Sequence, residues 1–190
     1  MKPYKLAFVL LGILCSQAQA ADNYVISPGT TMPYFEITQL GFTTLTGHFK
    51  KTSGNASIDL KAKTGSVDLT IYTDSLDTGT GWLEAWSSHL SDEGLFNVKN
   101  FPTMTFKSDK FIFSGNQIVG ADGQFTMLGV TKPLTITVSN FHCNGATASK
   151  KATCAADVSA QIKRSDFGLT KYTPMVSDEV KIKVPVEVTQ

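Results

Sequence analysis

His48, His89, His142, the lone Arg164 and the carboxylate pairs Asp92-Glu93 and Asp178-Glu179 are the residues best equipped for chemistry in this chain. The histidines stand apart, with no His-x-His or His-Glu-x-x-His spacing and no carboxylate at ligand spacing, so no metal motif is written locally. Each carboxylate pair could work as general acid and base only where burial moved its pKa values, and both pairs lie in polar, turn-like settings that predict solvated loops. The chain has no Gly-x-Ser-x-Gly elbow, phosphate loop or dinucleotide fingerprint. Arg164 is followed two residues on by Asp166, a pairing expected either to clasp a loop at a strand end or to meet a ligand headgroup. An enzyme would have to use His89 or Asp166 as its acid or base, and neither has a visible activating partner. The expectation is a protein that is not an enzyme.

The cysteines point to a compartment. Lys2 and Lys5 precede the apolar run Leu6 to Leu14, and Ala18-Gln19-Ala20 has the small-x-small pattern of a signal-peptidase site. Residues 1–20 are therefore read as a cleaved signal peptide, and 21–190 as one domain. Cys15 follows the bulky Leu14, where a lipidation site needs a small residue. The apolar run is shorter than the ~20 residues of a membrane span, and no later segment matches it, so no transmembrane segment is expected. Cys143 and Cys154 then face an oxidising environment across what reads as a hairpin tip and are expected to pair. Loss of the leader leaves 15 basic against 16 acidic residues, a net charge of −1. That balance, with a single arginine, gives no electrostatic basis for binding nucleic acid.

These residues need a scaffold, and its dominant signal is alternation of period two. Ser66-Val67-Asp68-Leu69-Thr70-Ile71 is the clearest case, and the pattern recurs at Phe35 and Ile37, Leu45 and Phe49, Ile58 and Leu60, Met104 and Phe106, and Phe125 and Met127. It continues through Leu134, Ile136 and Val138, then Val158 to Ile162, and from Val180 to Val188. Ser53-Gly54-Asn55, Lys63-Thr64-Gly65, Ser114-Gly115-Asn116 and Asp122-Gly123 read as reverse turns between the runs. About eight strands in hairpin order follow, forming an antiparallel sandwich or barrel. Ser66, Asp68, Thr70, Lys181, Lys183 and Glu187 fall on the face opposite the apolar one, the reverse of a membrane barrel. Trp82, Leu83, Trp86 and Leu90 fall at helical spacing, so a short amphipathic helix is expected to pack outside the barrel or plug one mouth.

Several ordered motifs resemble those of the YceI-like family of periplasmic, lipocalin-like, polyisoprenoid-binding proteins. Tyr24-Val25-Ile26, Phe35-x-Ile37 with Leu40-Gly41-Phe42, and Leu45-x-Gly47-x-Phe49 are similar to its opening strands. His89-Leu90, Phe96 and Phe101-Pro102-x-Met104-x-Phe106 resemble its helix-to-strand segment. The strongest likeness runs from Gly123-x-Phe125-Thr126-Met127 through Gly129-Val130-Thr131-Lys132-Pro133, followed by Arg164-Ser165-Asp166-Phe167-Gly168 and Val176-Ser177-Asp178-Glu179-Val180. The departures gather around Trp82 to Leu95.

The resemblance implies an all-β, lipocalin-like, eight-stranded antiparallel barrel with a short helix near one mouth, located in the periplasm. It implies a long-chain lipid ligand such as a polyisoprenoid, an isoprenoid quinone or a fatty-acid derivative, with no obligatory cofactor and no metal. The expected lining comprises Phe35, Ile37, Leu45, Phe49, Leu69, Ile71, Met104, Phe106, Phe125, Met127 and Phe167, with Trp82, Trp86 and Leu90 near the mouth. The competing reading is a structural or interaction protein, able to form a homodimer, whose barrel its own side chains fill.

Overall fold

Where one face of a strand meets hydrocarbon and the other water, alternation is the pattern that buries apolar area without stranding polar groups, and this chain follows it almost throughout. The structure, a computed structural model, describes residues 21–79 and 92–190. The expected leader at 1–20 and the expected helix with Trp82, Trp86 and Leu90 lie outside the described residues.

One antiparallel sheet contains β1 (Asp22–Ile26), β2 (Tyr34–Gln39), β3 (Thr43–Phe49), β4 (Thr52–Asp59), β5 (Thr64–Tyr72), β6 (Leu76–Asp77), β7 (Thr103–Ser114), β8 (Gln117–Met127), β9 (Val130–Asn144), β10 (Thr153–Lys163) and β11 (Val176–Thr189). The order β1-β4-β5-β7-β8-β9-β10-β11 closes on itself because β11 pairs back with β1. This is the expected eight-stranded barrel, with a refinement. β11 offers Val188 and Thr189 to β1 but its N-terminal stretch, Val176 to Lys183, to β2, so β1 and β2 occupy one barrel position end to end. β3 and β4 share the next position, broken only at Lys50-Lys51, and β5 continues through the 3-10 turn Thr73–Ser75 into β6. Among the described residues, eleven strands thus fill eight positions. β9 alone has 15 residues, about 50 Å at ~3.4 Å per residue, so the barrel is long for its girth.

Two expected turns are strand interior. Gly54 lies within β4 opposite Leu69, and a Cβ there would come within 2.0 Å of the Asp68 carbonyl oxygen. Gly123 lies within β8 opposite Leu134, where a Cβ would come within 2.5 Å of the Lys107 carbonyl oxygen. Both glycines serve close backbone approach rather than chain reversal, a role that composition alone does not distinguish from a turn. Chain reversal at one barrel end instead uses two matched hexapeptides, Thr38-Gln39-Leu40-Gly41-Phe42-Thr43 and Thr126-Met127-Leu128-Gly129-Val130-Thr131. Their Leu-Gly pairs have φ of 52° and 80°, and of 51° and 75°, the signs of a type I′ turn.

The outer face carries cross-strand ion pairs, Lys107–Asp68 at 2.7 Å, Lys110–Asp122 at 2.7 Å and Lys183–Glu36 at 2.8 Å. Cys143 and Cys154 are direct cross-strand neighbours on β9 and β10 and form a disulfide at the barrel end away from the Leu-Gly turns.

Candidate functional site

Strand register stacks the inward residues into layers. Leu69 of β5 faces Phe106 of β7, which faces Phe125 of β8, and Ile71 faces Met104. On the opposite wall Val158 of β10 lies between Val138 of β9 and Val184 of β11. An eight-stranded barrel is narrow enough for such side chains to fill it. This one keeps space in two ways. Ala56, Ala121, Ala155, Ala156 and Ala160 line the interior where larger residues would close it. Gly47 sits opposite Phe35, and Gly123 lies beneath Phe106; a Cβ on either would stand 2.5 Å or 2.6 Å from the ring, so each ring can lie against the wall.

The result is two apolar cavities end to end. The lower, of about 130 Å³, lies between the β9–β11 wall and β4, β5, β7 and β8. The upper, of about 150 Å³, lies beneath the β2–β3 hairpin and the Leu95-Phe96 segment. Ile71, Phe125 and Ile182 line both and form the waist between them. Of the expected lining residues, Phe35, Ile37, Leu45, Phe49, Met104 and Met127 face the upper cavity, Leu69 and Phe106 the lower, and Ile71 and Phe125 both. Phe167 does not line either one. It is buried in the core against Phe125, edge to face with ring centroids 5.5 Å apart, and so packs on a residue of the waist. Trp82, Trp86 and Leu90 lie outside the described residues.

Sequence reasoning missed Leu95, Phe96, Leu169 and Tyr172 in the upper cavity, and Thr31 and Cys154 in the lower. It also read Leu134 to Val138, Val158 to Ile162 and Val180 to Val188 as strands without assigning them to the lining, although the same alternation carried that signal. Phe96 completes an aromatic cluster, 5.7 Å from Phe49 and 6.4 Å from Phe35. Its own segment has no alternation to mark it.

Among the described residues, polar chemistry is sparse at the cavities. Arg164 borders the upper one but donates Nε–H to the Ser177 carbonyl, an Nη1 hydrogen to the Lys171 carbonyl, and Nη2 hydrogens to the Val176 carbonyl and the Thr173 hydroxyl. It clasps the 168–175 loop to the start of β11. Asp166, its expected partner, is exposed, and Asp178 takes the adjoining role by accepting from the Ser165 amide and hydroxyl at 2.8 and 2.7 Å. Those hydrogen bonds, with Arg164 and Lys163 nearby, hold the Asp178 carboxyl below its usual range. Asp92, Glu93 and Glu179 are exposed. His142 contacts the Asn140 carbonyl at 2.8 Å, His48 stands 5.7 Å from the Tyr34 ring, and His89 is outside the described residues. Among the described residues no three His, Cys, Asp or Glu side chains gather as a metal site, and no buried side-chain polar atom lacks a partner.

A closed antiparallel barrel with an apolar lumen and charge pairs outside defines a lipocalin-like barrel. Residues 24–188 match the YceI-like domain, and the chain belongs to the YceI-like family. Protein YceI of Salmonella arizonae is 31% identical over 195 residues, covering 100% of this chain and 99% of that protein. Among solved structures, BcnA of Burkholderia cenocepacia superposes with a TM-score of 0.69 at 26% identity, over 85% of this chain and 98% of that one. A polyisoprenoid binding domain from Saccharophagus degradans superposes with a TM-score of 0.61 at 16% identity, over 87% of this chain and 97% of that one, a likeness of fold.

Proposed function

We propose that this chain is an exported binding protein that holds one long-chain apolar amphiphile, of the polyisoprenoid, isoprenoid-quinone or fatty-acid-derivative class, along the barrel interior. The observation that carries this reading is the pair of abutting cavities walled almost wholly by hydrocarbon. Each CH₂ moved from water into such a lumen is worth roughly 0.8 kcal/mol, so a few isoprene units bind without any polar contact. Affinity does not grow indefinitely with chain length, because real complexes saturate. Membership in the YceI-like family and the fold shared with a polyisoprenoid binding domain support the same class of ligand. Arg164 is committed to its loop, so the apolar tail rather than a headgroup dominates recognition. The reading includes cleavage after Ala20, residence in the periplasm, and residues 21–190 acting as one domain without catalysis.

The test is organic extraction of protein purified from its native compartment, followed by mass spectrometry. A stoichiometric long-chain species is expected, and a native preparation that yields none overturns the reading. Ile182→Phe narrows the waist, so the extracted species should shift toward shorter chains, at an overpacking cost of about 1–3 kcal/mol in stability.

A further inference from the structure

The two Leu-Gly turns share a sequence pattern and a backbone shape but not an environment. Leu128 packs on the core, and Gly129 lies under the Phe101 ring, which a Cβ there would approach to 3.0 Å. The other turn is uncovered: Leu40 is 57% exposed and Phe42 81%, beside Met175 at 54%. Met175 belongs to the same tip, since its carbonyl accepts the Leu40 N–H at 2.7 Å. Leucine is a poor residue at φ +52°, where asparagine or glycine sits with less strain. The chain thus keeps a bulky apolar side chain in water at a position that its backbone disfavours.

This tip continues the upper cavity. Ile37, Leu45 and Val176 line that cavity, and the chain runs directly from them to Leu40, Phe42 and Met175. From Thr38 to Gly47 there is no charged residue, so the hairpin can enter an apolar medium without desolvating a charge. Three side chains present a few hundred Å², well below the ~800 Å² per partner of a stable protein interface, which fits a lipid surface better than a second copy.

We propose that Leu40, Phe42 and Met175 dip into a lipid bilayer and that the amphiphile passes between the bilayer and the upper cavity at this rim. The proposal rests on the lipid-binding reading above. An apolar chain that crosses water forfeits the transfer free energy that holds it, so exchange is fastest where the rim touches hydrocarbon.

The experiment uses purified, delipidated full-length protein and vesicles of phosphatidylethanolamine and phosphatidylglycerol in equal parts, loaded with fluorescently labelled farnesol. For a variant carrying Leu40→Asn, Phe42→Ser and Met175→Gln, co-sedimentation with vesicles and the rate of probe uptake from them should both fall about tenfold or more, a loss on the scale of exposing these apolar groups. Equilibrium capture of the same probe from dilute solution without vesicles should be unchanged. Leu40→Asn alone should raise the melting temperature while lowering sedimentation, opposite signs that misfolding does not produce. Sedimentation and uptake at the wild-type level in the triple variant overturn the proposal. So does light scattering that finds a wild-type dimer converted to monomer by the triple variant, with no vesicle partition in either. If the wild type sediments with vesicles but captures no probe in solution, docking is supported and the cargo reading is the one that fails.

Discussion

At the scale of single residues, Arg164 illustrates how a cation borders an apolar cavity while serving the fold. Its carbonyl acceptors are Lys171 in the loop before β11 and Val176 and Ser177 at the start of β11, and Asp178 ties the same strand start to Ser165. Because hydrogen bonding holds the folded Asp178 carboxyl below its usual value, the unfolded chain binds the proton more readily. Its stabilisation is therefore complete above the ordinary carboxylate range and disappears as pH falls through the lowered value. Asp178→Asn should reduce stability at neutral pH by about 1 kcal/mol, discounted for solvent screening, and flatten the loss seen below about pH 4. Urea unfolding across that pH range measures both. Asp122, lowered by Lys110 and Thr135, will keep part of the slope in the variant. Single residues were unevenly legible in the sequence. Inward phenylalanines and isoleucines such as Phe35 and Ile71 announce themselves by alternation, whereas Phe167, buried against Phe125 from the 3-10 turn Arg164–Phe167, has no alternation to mark where it packs.

At the scale of elements, the β9–β10 hairpin couples a long ladder to a covalent tie near its tip. Eleven positions separate the bonded cysteines, and closing a loop of that length stabilises by about 3 kcal/mol in the chain-entropy model. Replacing both Cys143 and Cys154 with serine should lower stability by that order, read as a shifted urea midpoint with little change in slope. The strands themselves were legible because each buries one face. Their sharing of barrel positions was not, since the division of the β11 edge between β1 and β2 depends on pairing partners more than 130 residues apart. The glycines misled for a related reason. Gly54 and Gly123 look like turn residues until the strand that approaches them is known.

At the scale of the whole molecule, the barrel is fastened unequally around its circumference. β7 through β11 are paired along most of their length, and the two barrel ends are held by the disulfide and by the Arg164 clasp. The β2–β3 panel is held along β11 with a shifted register between Val176 and Val180, and among the described residues the outer edge of β3 reaches β6 at His48 and Phe49 alone. Free energy of local opening should therefore be lowest in this panel. In hydrogen–deuterium exchange, amides of β2 and β3 should exchange roughly a hundredfold faster than those of β8 to β10. Uniform protection around the ring would contradict this.

The two-residue ladder from β3 to β6 thus has a kinetic meaning. A barrel closed by full-length pairing on every side could release a threaded chain only by global unfolding or through its ends. Where the ladder among the described residues is this short the wall can breathe, and such opening would add to exchange at the rim a second route whose rate depends on the hydrogen bonds of the seam rather than on how tightly the lumen fits.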